Sequence, residues 1–459
     1  MLALRGEKPQ SEFFVVRIVC FTVLLGFFAH ASGAFAQEQT GGSNQVAMPP
    51  QEHAHSGPLT SLADLLTEAE QNNPQIRAAR QGWEAAKQVP SQVSTLPDPQ
   101  FNLQQLNVGS PRPFAGYTNS DFAYVGLGIS QDIPYPGKLR LKGEIAKREA
   151  DVSQQQIESV RRAVLAGVKS AYFQLAYLSK TMGILASDGE LLQQVEKAAD
   201  ARYRSGMGNQ QDLLRAQLEQ TKLLREITMH HLEVAELQAQ IKELLNRPQS
   251  SADIEPPELP ETPLPNTFEE LLSATKAQNP EISQAEKMVE RQELQVDLAH
   301  KDFYPDFNVQ YMWQRTDPSQ FRAYYMLSVG IKVPIYRSRK QRPEVAQAEA
   351  ELSRSRSESE VRSQQAAFEL RTEYEITQKT SELLTIYREG LLPQARAGFQ
   401  AGIAGYQNNR QDFQSLLASF LDVLHLDEEY WKSIAERETA LARLEQLTGL
   451  SLHEEGAKR

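Results

Sequence analysis

Hydrophobic residues recur with two different periods along this chain, and the two periods alternate in the same order twice. Stretches that begin near Leu59 and Phe268 place apolar residues three to four positions apart, which predicts helices of roughly 30 residues. Each stretch contains an Asn-Pro pair, Asn73-Pro74 or Asn279-Pro280, where proline removes a backbone donor and the helix bends or restarts. Each half is therefore predicted to open with a broken helix.

A period of two follows each broken helix and predicts two β-strands per half. In the second half, apolar residues alternate with mostly polar ones from Phe307 to Trp313 and from Tyr325 to Val333. In the first half, residues 123–129 alternate in the same way. The segment that begins at Phe101 loses the alternation at Gln104-Gln105, which predicts a β-bulge.

Long helices are predicted after the strands, because proline is absent from Gly137 to Arg247 and from Glu344 to Leu392. At about 1.5 Å per residue, residues 138–203 alone would form a rod on the order of 100 Å long. Such a rod needs a partner helix, and the next segment carries an apolar seam typical of a coiled coil. The seam positions are Leu213, Ala216, Gln220, Leu223, Ile227, His230, Val234, Leu237, Ile241 and Leu244. Paired glycines at 205–209 and 401–405 are expected to turn the rods into helical hairpins.

The two halves also repeat each other in sequence. Leu65-Leu66 and Asn73-Pro74 recur as Leu271-Leu272 and Asn279-Pro280, at a constant offset of 206 residues. We interpret this recurrence as an internal duplication, with a first repeat at 59–247 and a second at 267–450. A proline-rich stretch at 248–266 is interpreted as an extended surface linker, and 451–459 as a tail. The predicted fold is mainly α-helical with a β-sheet portion.

The amino terminus predicts export from the cytoplasm. Basic residues precede the apolar run Ile18–Phe28, and Ala34-Phe35-Ala36 fits a signal-peptidase site, so 1–36 is interpreted as a cleaved signal peptide and 37–58 as a flexible linker. The apolar run is too short for a membrane helix, which needs about 20 residues. The single cysteine, Cys20, lies within the signal peptide, so the mature chain has no thiol chemistry. The formal net charge of −11 disfavours nucleic acid as a partner.

The four alternating segments, each of roughly 10 residues, fit the length of tilted transmembrane β-strands. The alternative is a small soluble sheet, but no amphipathic helix lies next to the strands in sequence to cover their apolar face. Four strands cannot close a barrel, which takes at least eight, and an open strand edge is not tolerated in lipid. Several chains are therefore expected to share one barrel, and three chains would supply twelve strands, within the known range.

Several short motifs occur in the order that is found in a known family. They are Leu96-Pro97-Asp98-Pro99, Gln131-Asp132-Ile133-Pro134 before Gly137-Lys138, and Tyr203-Arg204-Ser205-Gly206 at a hairpin tip. Together with the repeated order of elements, they resemble the TolC-like outer-membrane efflux proteins over about 59–450. Within that family, the segment 131–138 resembles the branch that serves heavy-metal exporters.

The resemblance implies a homotrimer in the cell outer membrane, with a twelve-strand β-barrel in lipid and an α-barrel of helical hairpins that spans the periplasm. It implies a passive channel that stays closed at its far end until a periplasmic adaptor protein and an inner-membrane pump dock. Neither an enzymatic activity nor a cofactor is implied. The residues expected to contact the adaptor lie at the hairpin tips and are Gly206, Met207, Gly402 and Ile403.

Two aspartates follow the tip glycines and are candidates for a gate. In a trimer, Asp212 and Asp412 would each occur three times at the narrow end, where like charges repel one another and attract cations. The alternative is that each aspartate only stabilises the first turn of a helix.

In the TolC-like family, the first of these aspartates is tied to an aromatic hydroxyl and to an arginine near the second tip. Phe399, which has no hydroxyl, stands at the aromatic position here, and Ala404 stands near the arginine position. Tyr406 or Arg410 is the substitute that the sequence offers.

The sequence contains no enzyme motif, since neither Gly-x-Ser-x-Gly nor His-Glu-x-x-His occurs. His53 and His55 in the linker are weak candidates for metal capture. His230 and His231 are neighbours on one predicted helix, where their side chains diverge and cannot readily share an ion. Two other classes of function stay open: an exported structural coiled-coil envelope protein without a pore, and a soluble periplasmic metal-binding protein.

Overall fold

The computed structural model describes residues 61–107, 112, 123–256, 259–316, 323–408 and 410–453. The predicted signal peptide (1–36), the linker at 37–58 with His53 and His55, and the end of the tail (454–459) lie outside the described residues. Within the described part, helices and strands follow one another in the predicted order in both halves.

The first half opens with a broken helix and passes through two strands into a long helical hairpin. Its elements are α1 (Leu62–Asn72), α2 (Pro74–Ala86), α3 (Val89–Ser94), β1 (Gln100–Leu106), β2 (Tyr124–Ile133), α4 (Lys138–Arg204) and α5 (Gln210–Leu244). Helix α4 has 67 residues, so the predicted rod is confirmed. Its length is about 100 Å at 1.5 Å per residue.

The second half follows the same order with two differences: it has no counterpart of α3, and its first long helix is interrupted. Its elements are α6 (Phe268–Gln278), α7 (Pro280–Lys301), β3 (Asp306–Arg315), β4 (Tyr324–Lys332), α8 (Gln341–Ile386), a π-helical turn (Tyr387–Leu391), α9 (Leu392–Gln407) and α10 (Phe413–Thr448). The π-helical turn was not predicted. It ends at Leu391, two residues before Pro393, which lacks the N–H needed to continue an α-helical ladder.

An asparagine restarts the helix at the equivalent place in each half. The Asn73 side chain accepts hydrogen bonds from the second and third amides of α2 at 2.8 and 3.2 Å, and its Nδ2 donates to Leu244 O at 2.8 Å. Asn279 accepts from the corresponding amides of α7 at 2.9 and 3.3 Å, and its Nδ2 donates to Leu447 O at 3.2 Å. The predicted restarts are confirmed, and each asparagine also ties its broken helix to the end of a hairpin.

The strands form one antiparallel sheet in the order β1-β2-β3-β4. Strand β1 pairs with β2 without interruption from Gln100↔Ser130 to Leu106↔Tyr124, so the predicted bulge is wrong. The alternation is lost only in the side chains. Because the backbone stays regular, Gln105 shares a face with Leu103 and Leu106 lies on the other face.

The two faces of the sheet differ in chemistry. Leu103, Leu127, Trp313 and Tyr325 are cross-strand neighbours and form one row across all four strands. All four are exposed, from 40% for Trp313 to 69% for Tyr325. The opposite face carries mostly asparagine, glutamine, glycine and serine. The sheet thus presents an apolar face that no part of the described chain covers.

Helix α5 lies along α4, and every position of the predicted coiled-coil seam is buried or half-buried. A cluster of buried side chains from both hairpins fills the end that carries the tips, and it includes Leu192, Ala216, Phe399, Phe413 and Phe420. Among the described residues, no helix combines the length and the apolar character that a membrane span requires.

The second hairpin turns later than predicted. Helix α9 continues through Gln407, so Gly402, Ile403 and Gly405 are helical and the predicted turn at 401–405 is wrong. A Cβ atom added at Gly402 would lie 3.4 Å from Leu416 Cδ1, so the glycine allows α9 and α10 to approach closely. The chain reverses instead between the end of α9 and Asp412, which is the N-cap of α10.

The proline-rich segment 248–266 has no regular secondary structure among its described residues, but it is not simply a surface linker. Ile254 is 2% exposed, and its backbone N–H and C=O both bond the side chain of Gln238, at 3.0 and 2.8 Å. Thr262 is also buried, and its N–H and hydroxyl donate to Glu438 at 2.9 and 2.6 Å. The prediction of a surface linker is therefore wrong at these two anchor points.

Candidate functional site

The first hairpin tip is a tight turn at 205–209 between α4 and α5. Gly206 has φ +72°, in the left-handed region that favours glycine. The N–H groups of Met207 and Gly208 both donate to Arg202 O, at 2.9 and 3.0 Å, as is common at helix C termini. Met207 is 65% exposed. The predicted exposed turn is therefore confirmed at this tip, with a methionine at its surface.

The second tip differs from the prediction. Gly402 is buried and Ile403 is half-buried within α9, so neither lies in an exposed turn. The turn is held by Arg410, whose backbone N–H donates to Gly405 O at 2.8 Å while its side chain is exposed. Asn408 Nδ2 donates to Ala404 O at 2.8 Å and closes the end of α9.

Tyr406, rather than Arg410, lies against the first hairpin. The Arg202 guanidinium lies 4.4 Å from the centre of the Tyr406 ring, and its Nη1 donates to Tyr406 O at 2.8 Å. Burial raises the pKa of the Tyr406 hydroxyl; the charge of Arg202 opposes this shift and the charge of Asp212 adds to it. These three residues are defined here as the tip cluster: Arg202 contacts Tyr406 directly, whereas Asp212 acts on the Tyr406 hydroxyl through its charge.

Sequence reasoning did not identify Arg202. The available signal was a basic residue in the last turn of a helix, where a cation stabilises free carbonyl groups. Phe399 lies in the core and is 7% exposed, with its ring centre 5.6 Å from that of Phe420. Phe399 therefore packs within the hydrophobic core of the tip.

The two candidate gate aspartates both stand at helix starts. Asp412 is the N-cap of α10: Oδ1 accepts from Ser415 N at 2.8 Å and Oδ2 from Ser415 Oγ at 3.0 Å. These bonds hold the pKa of the Asp412 carboxyl below its ordinary value. Asp212 lies in the first turn of α5. Both aspartates are therefore placed to stabilise the start of a helix.

The two neighbouring histidines have different surroundings. His231 is exposed, whereas His230 is 8% exposed, and its Nδ1 lies 3.0 Å from Glu233 Oε2. Within the described part of the chain, Glu226, His230 and Glu428 form a group whose potential ligand atoms all lie within 4.8 Å of one another. Sequence reasoning missed this group because Glu428 belongs to the other hairpin.

Known proteins resemble this chain in sequence pattern and in fold. The family model for outer membrane efflux proteins matches residues 65–247 and 271–450. No curated protein matches the sequence significantly. The outer-membrane channel OprN is 18% identical, with a TM-score of 0.74 over 85% of this chain and 90% of that one.

Two further channel structures have the same fold. CusC, described in the context of transmembrane channel formation, is 17% identical, with a TM-score of 0.71 over 84% of this chain and 91% of that one. The open state of the MtrE outer membrane channel of Neisseria gonorrhoeae is 16% identical, with a TM-score of 0.70 over 85% and 89%. All three are TolC-like channels. At this level of identity, the similarity establishes that this chain has the same fold. Since the family model covers well over half of the sequence, this chain belongs to the outer membrane efflux protein family, a family of TolC-like channels.

Proposed function

We propose that this chain is the outer-membrane channel subunit of a tripartite efflux system, a passive conduit across the periplasm that opens when a periplasmic adaptor and an inner-membrane pump dock. The observation that carries the proposal is the four-stranded sheet, with an exposed apolar face on one side and a polar face on the other. Water would penalise such a face, whereas lipid stabilises it.

The sheet also supports assembly from several chains. Strands β1 and β4 are its two edges, and each pairs with only one other strand among the described residues. In lipid, unpaired backbone groups cost several kcal/mol each, so the edges must pair with strands of other copies. Three copies supply twelve strands, an even number within the range of outer-membrane barrels. The chain is then a homotrimer, with its helical hairpins continuing as an α-barrel.

The far end of the hairpins provides the gate and the docking surface. The tip cluster of Arg202, Tyr406 and Asp212 joins the two hairpins and supports closure at this end. Exposed Met207 on its glycine turn is the surface that an adaptor would grip. The exposed residues Asn408, Arg410 and Asp412 after α9 take the place assigned to Gly402 and Ile403.

A heavy-metal cargo is supported only by the resemblance of the segment 131–138 to the metal-exporter branch. Lys138 in this segment bonds Asp302 and Asp306, each at 2.9 Å, and so joins the two halves below the sheet. Its role in this chain is structural. The pump rather than the channel is expected to select the cargo.

Two adjacent residues of β4 offer a direct test of the membrane role. Val329 lies on the apolar face and is 62% exposed, while its neighbour Ser328 is exposed on the polar face. In a lipid-embedded barrel, Val329→Arg costs about 2–4 kcal/mol near the bilayer centre, whereas Ser328→Arg faces water inside.

We therefore expect Val329→Arg to abolish heat-resistant trimers in outer-membrane extracts and Ser328→Arg to preserve them. Native mass spectrometry in mild detergent provides the stoichiometry, and planar-bilayer recording provides the conductance. A structural coiled-coil protein without a pore predicts that both variants assemble equally well and that neither the variants nor the unaltered protein conducts.

A further inference from the structure

A group of side chains at the contact between the two hairpins has the chemistry of a metal centre. We propose that Glu226 and His230 of α5, together with Glu428 of α10, bind one divalent transition-metal ion of the Zn²⁺ type in each chain. This site lies outside the tips and the sheet, and the proposal does not depend on the channel function.

The donor atoms come from two elements that packing brings together. Glu226 and His230 are four residues apart on α5, which places both side chains on one face of the helix. Glu428 reaches the same place from the second hairpin, with its Oε1 at 3.9 Å from His230 Nε2. One imidazole and two carboxylates form a set that Zn²⁺ accepts, with the fourth position left for water.

The unsatisfied nitrogen of His230 distinguishes this group from a chance cluster of acids. His230 is 8% exposed, and its Nε2 is buried without a hydrogen-bond partner among the described residues. Leaving a buried polar atom without a partner is unfavourable, so a native site is expected to satisfy it. At 3.9 Å, Glu428 is too distant to do so directly.

The surroundings prepare that nitrogen to act as a ligand. Nδ1 of His230 lies 3.0 Å from Glu233 Oε2. A carboxylate at this place accepts a hydrogen bond from Nδ1–H and so favours the tautomer whose lone pair is on Nε2. Metal-binding histidines usually have such a partner on the other ring nitrogen. On the opposite side, the Tyr177 hydroxyl donates to Glu428 Oε1 at 3.2 Å and restrains that carboxylate. Glu233 thus orients the proposed ligand His230, and Tyr177 orients the proposed ligand Glu428.

The separations suit an ion after a small contraction. A tetrahedral Zn²⁺ with bonds of about 2.0–2.2 Å holds its ligand atoms roughly 3.4 Å apart. The present separations reach 4.8 Å, and carboxylate side chains can close this difference by rotation. Two carboxylates also balance the charge of a divalent cation. Because its ligands come from both hairpins, the bound ion would hold α5 and α10 together.

Metal binding can be measured on the purified, detergent-solubilised full-length protein without a histidine tag. The His53→Ala/His55→Ala background removes the other close histidine pair. After chelation and dialysis, we expect calorimetric titration with Zn²⁺ to give one site per chain. His230→Gln should weaken this binding more than tenfold, and the matched change His231→Gln, at an exposed neighbouring histidine, should leave it unchanged. Glu233→Ala, which removes only the partner of Nδ1, should weaken it by about 10–100-fold.

X-ray absorption at the zinc edge tests the same site without any substitution among the ligands. We expect one imidazole nitrogen and otherwise oxygen ligands. The proposal is overturned if the protein binds no zinc, if His230→Gln binds zinc as tightly as the parent, or if the spectrum shows two or more imidazoles. Circular dichroism of the metal-free variants separates loss of binding from loss of folding, and if His230→Gln does not fold, the spectrum of the parent protein decides.

Discussion

Arg202 and Tyr406 join the two helical hairpins at their tips. The guanidinium of Arg202 lies 4.4 Å from the centre of the Tyr406 ring and donates to the Tyr406 backbone carbonyl at 2.8 Å. The same arginine accepts, through its own carbonyl, the two hydrogen bonds that close the first tip. A single residue thus shapes one hairpin turn and binds the other hairpin.

We predict that Arg202→Ala opens the closed channel. The change removes a cation–π contact worth about 0.5–2 kcal/mol and a charged hydrogen bond worth about 1.5–3 kcal/mol. Since about 1.4 kcal/mol corresponds to a factor of ten, the open probability in planar bilayers should rise at least tenfold. Tyr406→Phe keeps the ring and the backbone carbonyl, so its effect should be much smaller. Equal open probabilities in Arg202→Ala and the parent would remove this contact from the gate.

Docking at the first tip can be tested at Met207 without disturbing the turn. The side chain is 65% exposed, so Met207→Glu should abolish export in cells while trimers stay intact. The control is Met207→Leu, which keeps an apolar side chain of similar size and should preserve export. Normal export by Met207→Glu would exclude this tip as an adaptor contact.

Neutralising Asp212 and Asp412 together separates the gate role from the helix-start role. Asparagine is as good an N-cap as aspartate, so Asp212→Asn/Asp412→Asn removes charge and preserves the start of α10. We expect lower cation selectivity and weaker block by multivalent cations in bilayer recordings, with little change in thermal stability. Unaltered selectivity would leave only the helix-start role.

The pH dependence of that selectivity follows from the hydrogen bonds of Asp412. They lower its pKa in the folded chain, so its stabilising contribution is complete above the unfolded pKa and is lost as pH falls through the lowered value. The charge at Asp412 should therefore persist below the ordinary aspartate range near about pH 3.9. Selectivity that falls steeply well above this pH would show that the Asp412 carboxylates repel one another, as closely spaced like charges do, more strongly than the N-cap hydrogen bonds stabilise them.

A buried ionic network at the end of α10 predicts a second pH effect. Glu438 is fully buried, and its Oε2 lies 3.3 Å from His453 Nε2, while Glu445 Oε1 lies 3.0 Å from His453 Nδ1. Burial alone would lower the pKa of His453, but the two carboxylates raise it above its ordinary value. Burial alone would raise the pKa of Glu445, but His453 and Lys169 hold it below its ordinary value.

The signs of these shifts define a window of maximum stability. The contribution of His453 is complete below its unfolded pKa of about 6.5 and is lost as pH rises through the raised value. The stabilising contribution of Glu445 is complete above its unfolded pKa of about 4.3 and is lost as pH falls through the lowered value. Unfolding temperatures measured against pH should be highest between these limits. His453→Gln should flatten the alkaline arm, whereas His425→Gln, at an exposed histidine of α10, should not.

Local features of this protein were predictable from sequence. The period of apolar residues is set by the geometry of helices and strands, and it located both broken helices, all four strands and the 67-residue α4. The Asn-Pro pairs marked the restarts because an N-cap and the following proline act on their own neighbours. The bulge was wrong because side-chain alternation can fail at Gln104-Gln105 while the backbone ladder stays regular.

Relationships between distant residues depended on how the hairpins pack. The second turn follows Gln407 rather than Gly402, because Gly402 allows α9 to pack against Leu416. No local rule distinguishes such a glycine from one that turns the chain. Arg202 meets Tyr406, and His230 meets Glu428, across about 200 positions of sequence. Such pairs depend on which faces of the long amphipathic helices are buried when the hairpins pack. The buried faces determine which polar side chains lie at the contact between the hairpins.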